Sequence, residues 1–197
     1  MLRTGLKQLA GAALLAASLS ACVPLVVVGG AAVGAWIGSD PRPAAMIKTD
    51  TKLGAEIHAK LTDEWRDKAN VSVNTFNGLV LLTGEVPDEA AKARAEEIAR
   101  SFAQTTRVYN DLFVGPVASA VQQLNDTQIT TLVKSHLLAS AGDPSSVHIQ
   151  VITERTTVYL LGMSNPALAD KAANLAASVP GVSRVVKLVQ PLAALPK

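Results

Sequence analysis

Cys22 is the residue of this 197-residue chain whose type and setting point to a definite covalent chemistry. It is the only cysteine, so no intrachain disulfide can use it. It comes after Leu19-Ser20-Ala21 at the end of a short apolar run, where small residues precede a cleavage point. The other reactive side chains form no such setting. His58, His136 and His148 lie in unrelated places, and no two are spaced to hold a metal on one helix face. His136 reads as a core-edge residue. Asp63, Glu64 and Asp67 cluster beside Trp65 and read as a solvated helix end. The glycine-rich stretch 29–38 lacks the Lys and Ser/Thr of a phosphate loop. The expectation is a non-enzymatic protein without metal or cofactor.

The first residues have the parts of a secretory signal: Arg3 and Lys7, then an apolar core from Leu9 to Leu19. A membrane-spanning helix is the rival, because apolar residues continue past Cys22 to Ile37. Pro24, Gly29, Gly30, Gly34 and Gly38 weaken that helix. The segment resembles the lipobox of bacterial lipoproteins, in which the signal is removed before the cysteine and the thiol is lipidated. That resemblance implies a membrane anchor outside the cytoplasm, and Val23 in place of Asp implies sorting to the outer membrane. The divisions expected are a signal peptide over 1–21, a lipidated tether over 22–49 and two domains over 50–115 and 116–197. Trp36 and Ile37 suit either a membrane surface or a plain hydrophobic leader.

Cleavage changes the charge balance. The chain has 18 Lys+Arg and 16 Asp+Glu, and removing Arg3 and Lys7 leaves 16 of each. Net charge therefore gives no argument for nucleic acid.

Beyond the tether, one pattern of elements occurs twice. Asp50 precedes Leu53, Ile57 and Leu61, four apart on one helix face. Val71–Phe76 and Leu79–Thr83 read as strands joined by Asn77-Gly78, a hairpin signal because both turn residues must accept positive φ. Asp88 caps a second helix with a stripe of Ala91, Ala95, Ile98, Ala99 and Phe102, and a last strand covers 107–114. In the second copy Asp126 precedes Ile129, Val133 and Leu137, with strands at 147–152 and 157–161. Asn165 is the second cap, with Pro166 at the first helical position. The second stripe, Leu168, Ala172, Leu175, Ala176 and Val179, is the first shifted by 77; a final strand spans 182–189. The fold class expected is α+β: two tandem α-β-β-α-β domains, each with two helices on one face of a three-stranded mixed sheet.

This order, with Asn77-Gly78-Leu79-Val80-Leu81-Leu82-Thr83-Gly84-Glu85-Val86 and Gly181-Val182-Ser183-Arg184-Val185, resembles the BON domain family. The second copy has Glu154-Arg155-Thr156 where the first has its Asn-Gly turn. With the lipobox, the likeness is to lipoproteins of the outer membrane that carry two such domains. It implies anionic-phospholipid binding through the second copy, support of envelope integrity and enrichment at division sites.

Differences between the copies suggest separate roles. Residues 50–114 hold eleven acidic and eight basic side chains; residues 115–197 hold four and six. Basic residues near an anionic membrane contribute roughly 1 kcal/mol each, which favours the second copy as the lipid-facing one. Its opening helix has Leu132, Lys134 and Leu138 where the first has Glu56, His58 and Thr62. The expectation is that Leu132 and Leu138 insert, Lys134 pairs with phosphate, and Gln128, Thr131 and Ser135 lie at the surface. The competing reading packs both leucines on the first copy, and the family resemblance favours lipid. A second functional class is a scaffold whose acidic first copy recruits an envelope protein.

Overall fold

The computed structural model describes residues 40, 42–140 and 148–191. Cys22, Trp36 and Ile37 lie outside them. The described residues from Arg42 to Pro191 form one compact unit. In the first copy α1 (Ala44–Trp65) leads through a 3-10 turn to β1 (Asn70–Phe76) and β2 (Leu79–Val86). Then come α2 (Glu89–Arg100), β3 (Arg107–Asn110) and β4 (Phe113–Val114). The second copy contains α3 (Ala120–Ala139), β5 (Ile149–Glu154), β6 (Thr157–Ser164), α4 (Pro166–Ala177) and β7 (Arg184–Pro191). Each copy is the expected α+β unit, with the second strand of the hairpin at the centre of a mixed sheet. β2 pairs antiparallel with β1 and parallel with β3 and β4. β6 pairs antiparallel with β5 and parallel with β7.

Both opening helices begin earlier than their apolar periodicity suggests. α1 starts at Ala44, inside the stretch read as tether, and α3 at Ala120. Asp50 and Asp126 therefore lie within helices, and both are buried. Asp50 accepts from the backbone N–H groups of Asn77 and Gly78 at 2.6 and 3.0 Å. Asp126 accepts from those of Arg155 and Thr156 at 2.8 and 2.9 Å. Each aspartate clamps the hairpin turn of its own copy by charge-assisted hydrogen bonds. The clamp explains how Arg155-Thr156 can replace Asn-Gly: both hold positive φ, 48° and 60°, unusual for a β-branched threonine.

The structure departs from the expected pattern at three further places. The expected strand over 107–114 is broken at Asp111-Leu112, so the first sheet has four strands. There the Asn110 side chain donates to Lys92 O at 2.9 Å and accepts from the Leu112 N–H at 3.3 Å, turning the chain while Leu112 enters the core. In α4 Ala169 is buried and Leu168 only partly so, and the Asn165 cap bonds two residues ahead, to Ala167 N. The Asp88 cap bonds three ahead, to Ala91 N. β5 and β7 each begin two residues later than expected.

The layers run helix, sheet, sheet, helix. One core lies between α1, α2 and the first sheet, and a second between α3, α4 and the second sheet. A third lies between the sheets, built from Phe76, Leu79, Leu81, Tyr159, Leu161, Met163 and Leu188. Hence every residue of β2 and β6 is buried: alternate side chains serve a helix-facing core and the seam between copies. A Cβ added to Gly84 would stand 2.0 Å from Asn70 O of the neighbouring strand, and one added to Gly162 would stand 2.3 Å from His148 O, just before β5.

Candidate functional site

The site begins with the capping of α3. Ser119 Oγ accepts from Gln122 N at 3.3 Å, and Gln122 Oε1 accepts from Ser119 N at 2.9 Å. This capping box starts the helix at Ala120 and adds nearly two turns before Asp126. Ile129, Val133 and Leu137 then point into the core, which fixes what points out. Gln128, Thr131, Leu132, Lys134, Ser135 and Leu138 are all exposed. Leu132 is 44% exposed and Leu138 62%; neither belongs to the core between the copies, which meet through their sheets instead.

The added turns extend the same face. Val121 is 76% exposed and Leu124 63%. With Gln128, Thr131, Leu132, Ser135 and Leu138 they recur at three- and four-residue steps, a single stripe about 26 Å long at 1.5 Å per residue. Val117, just before the helix, is also exposed. Among the exposed side chains of α3 only Lys134 carries a full charge; α1 exposes Lys48, Lys52, Glu56, Lys60, Asp63 and Glu64. Lys134 stands four residues before Leu138, at the margin of the stripe. The hydroxyls of Thr127, Thr131 and Ser135 donate to carbonyls one turn back, at 2.8, 2.9 and 2.9 Å. Their donors are satisfied inside the helix, so moving this face out of water leaves no hydroxyl hydrogen unpaired.

The capping pattern Ser119-x-x-Gln122 is the sequence signal for this extension. Apolar periodicity alone misses it, because Val121 and Leu124 do not continue the buried stripe. His136, expected at the core edge, is exposed.

The charge asymmetry has a different origin from the one expected. Arg155 and Arg184 of the second copy face Glu85 and Asp111 of the first. Asp50 pairs with Arg42 at 2.5 Å, and the Arg42 guanidinium lies 3.8 Å from the centre of the Phe76 ring. With those partners set together, the first copy keeps eight acidic and eight basic side chains and the second four and four. Of the second copy's other cations, Lys187 pairs with Asp170. The excess is thus mostly complementarity across the seam, and the case for a lipid surface rests on the uncharged stripe and Lys134.

Tyr159 donates to Asp111 Oδ2 at 2.7 Å and meets Tyr109 edge-on at 6.5 Å. Burial and the Asp111 carboxylate push its phenol well above the usual tyrosine range. Among the described residues no group of three His, Cys, Asp or Glu is placed to hold a metal ion, and no helix is long and apolar enough to cross a membrane.

Two fused α+β units joined sheet to sheet, with one uncharged outer helix face, define a tandem-domain architecture. The chain belongs to the BON domain family, whose model matches residues 49–116 and 125–190. It is similar to outer membrane lipoprotein DolP of Haemophilus influenzae, 35% identical over 86% of this chain and 88% of that protein. It is also similar to a 21 kDa hemolysin of Actinobacillus pleuropneumoniae, 34% identical over 76% and 78% of the two chains. Osmotically-inducible protein Y of Escherichia coli is 30% identical over 77% of each.

Proposed function

We propose that this protein is a non-enzymatic outer-membrane lipoprotein, anchored through Cys22, whose second domain rests on anionic phospholipid through the outer face of α3. In this reading it faces the periplasm, supports envelope integrity and concentrates at division sites. The observation that carries the lipid contact is the stripe from Val121 to Leu138, apolar at four positions and free of full charge. Such a face gains by entering the headgroup boundary and has no ion to desolvate. The name of the Haemophilus relative supports the location.

Because the acyl anchor already holds the protein on the membrane, the stripe sets orientation rather than attachment. Lys134 is the one cation beside it, so a preference for anionic lipid of roughly fivefold is expected from about 1 kcal/mol. The test is co-sedimentation of residues 41–197, whose described part is one compact unit, with phosphatidylcholine vesicles with and without phosphatidylglycerol. Parent protein should bind, and Leu138→Asp should bind at least tenfold less. Equal binding by parent and variant would overturn the reading.

A further inference from the structure

The seam between the copies has two ends that are equivalent in the repeat. At one end the Asn77 side chain donates to Gln190 Oε1 at 2.8 Å. At the other the Arg155 guanidinium stacks 3.7 Å from the centre of the Phe113 ring. Asn77 and Arg155 are the first residues of their hairpin turns. Gln190 and Phe113 are also counterparts, since Gln190 pairs with Met163 and Phe113 with Glu85. Met163 and Glu85 each come directly after the glycine of their central strand. The same junction therefore occurs twice, with Asn77 and Met163 at a neutral end and Arg155 and Glu85 at an ionic end.

The ionic end is incompletely satisfied. Glu85 is fully buried; Oε2 accepts from Asn70 Nδ2 at 3.2 Å, while Oε1 has no hydrogen-bond partner. Arg155 Nη1 is 3.6 Å from that oxygen, beyond hydrogen-bond reach. Glu154, beside Arg155 at the end of β5, brings a second carboxyl from the opposite copy, and Asp126 of α3 lies against the same turn. An adjoining cavity of about 480 Å³ is lined by Glu89 and Lys92 of α2, Asp111, Tyr159 and Arg184. Of these, Arg184 and Tyr159 are both engaged by Asp111.

We propose that this end of the seam is a pH-operated joint: Glu154 and Arg155 meet the first copy across the shared cavity, with Arg155 beside the buried Glu85, and the copies hold together there while Glu154 is protonated and part when it ionises. Burial, followed by the charges of Glu85 and Asp126, raises the Glu154 carboxyl to about 7. A carboxyl raised on folding binds more protons in the folded state between its two values. Its stabilising effect is complete below the ordinary glutamate range and is lost as pH rises through about 7.

Hydrogen exchange of the full chain in detergent, corrected for intrinsic rates, tests this between pH 5.5 and 8.5. Protection at Glu85–Val86 and Phe113–Val114 should fall roughly tenfold across neutrality, while protection around Asn77 and Gln190 stays level. Glu154→Gln should abolish the fall. Glu85→Met with Arg155→Asn, which transfers the residues of the neutral end, removes the charge across the seam but not the burial that raises Glu154 most, so a reduced fall is expected there. Both ends loosening together, or Glu154→Gln keeping the parent's pH response, would overturn the joint. If the double variant does not fold, Glu154→Gln decides alone.

Discussion

Asp126 in the second turn of α3 holds both backbone N–H groups of the turn Arg155-Thr156. Asp50 does the same for Asn77-Gly78, 27 and 28 residues further along its own copy. One side chain thus fixes a helix to a hairpin and allows the second turn to dispense with glycine. Asp126→Ala should cost about 2–4 kcal/mol in a denaturant titration, since two buried N–H groups lose a charged acceptor. Asp50→Ala should cost more, because it also breaks the buried pair with Arg42. Thr156→Gly should recover about 1 kcal/mol of the Asp126→Ala loss by relieving positive φ at a β-branched residue.

The proposed lipid contact of the α3 stripe makes a prediction at residues that apolar periodicity does not single out. Val121→Asp and Leu124→Asp should reduce vesicle binding as much as Leu132→Asp. Melting temperature should stay within a degree or two, because both side chains are mostly exposed. Raising salt from 50 to 300 mM should weaken binding only a few-fold, since Lys134 is the lone full charge on the helix face. A steep salt dependence would point to cations elsewhere in the chain.

The seam should respond to loss of either partner of Asp111. Tyr159→Phe removes one hydrogen bond and should cost about 1–2 kcal/mol. Arg184→Ala, at a half-exposed ion pair, should cost less than about 1 kcal/mol. Double-mutant cycles with Asp111→Asn should show coupling in both cases.

The close strand approach at Gly84 and Gly162 predicts that alanine at either position destabilises by about 3 kcal/mol or more, because the new methyl meets backbone oxygen. Thermal melts of the two variants measure this directly.

If Cys22 carries the proposed anchor, Cys22→Ser should abolish incorporation of labelled palmitate and move the protein from the membrane to the soluble fraction.

The repeat, its element order and most of its buried stripes are legible in the sequence, because local periodicity and turn chemistry report which face of a helix or strand leaves water. Leu53, Ile57, Leu61, Ile129, Val133 and Leu137 are readable that way, and all are buried. The caps Asp88 and Asn165 are equally local. Helix starts are less legible: apolar spacing marks where a helix meets the core, whereas α1 and α3 begin before it.

What tertiary structure alone decided was the pairing of copies and the work of the charges. Asp50 and Asp126 look like helix-start residues until the hairpin turns come to rest against them. Glu85 and Arg155 look like ordinary surface charges, 70 residues apart, until two sheets meet and bury one beside the other. A chain's charge count is additive along the sequence, but its field depends on distance, and distance is set by the fold. Hence the sequence identified α3 as the unusual helix, while the packing of the sheets determined that its uncharged face remains open.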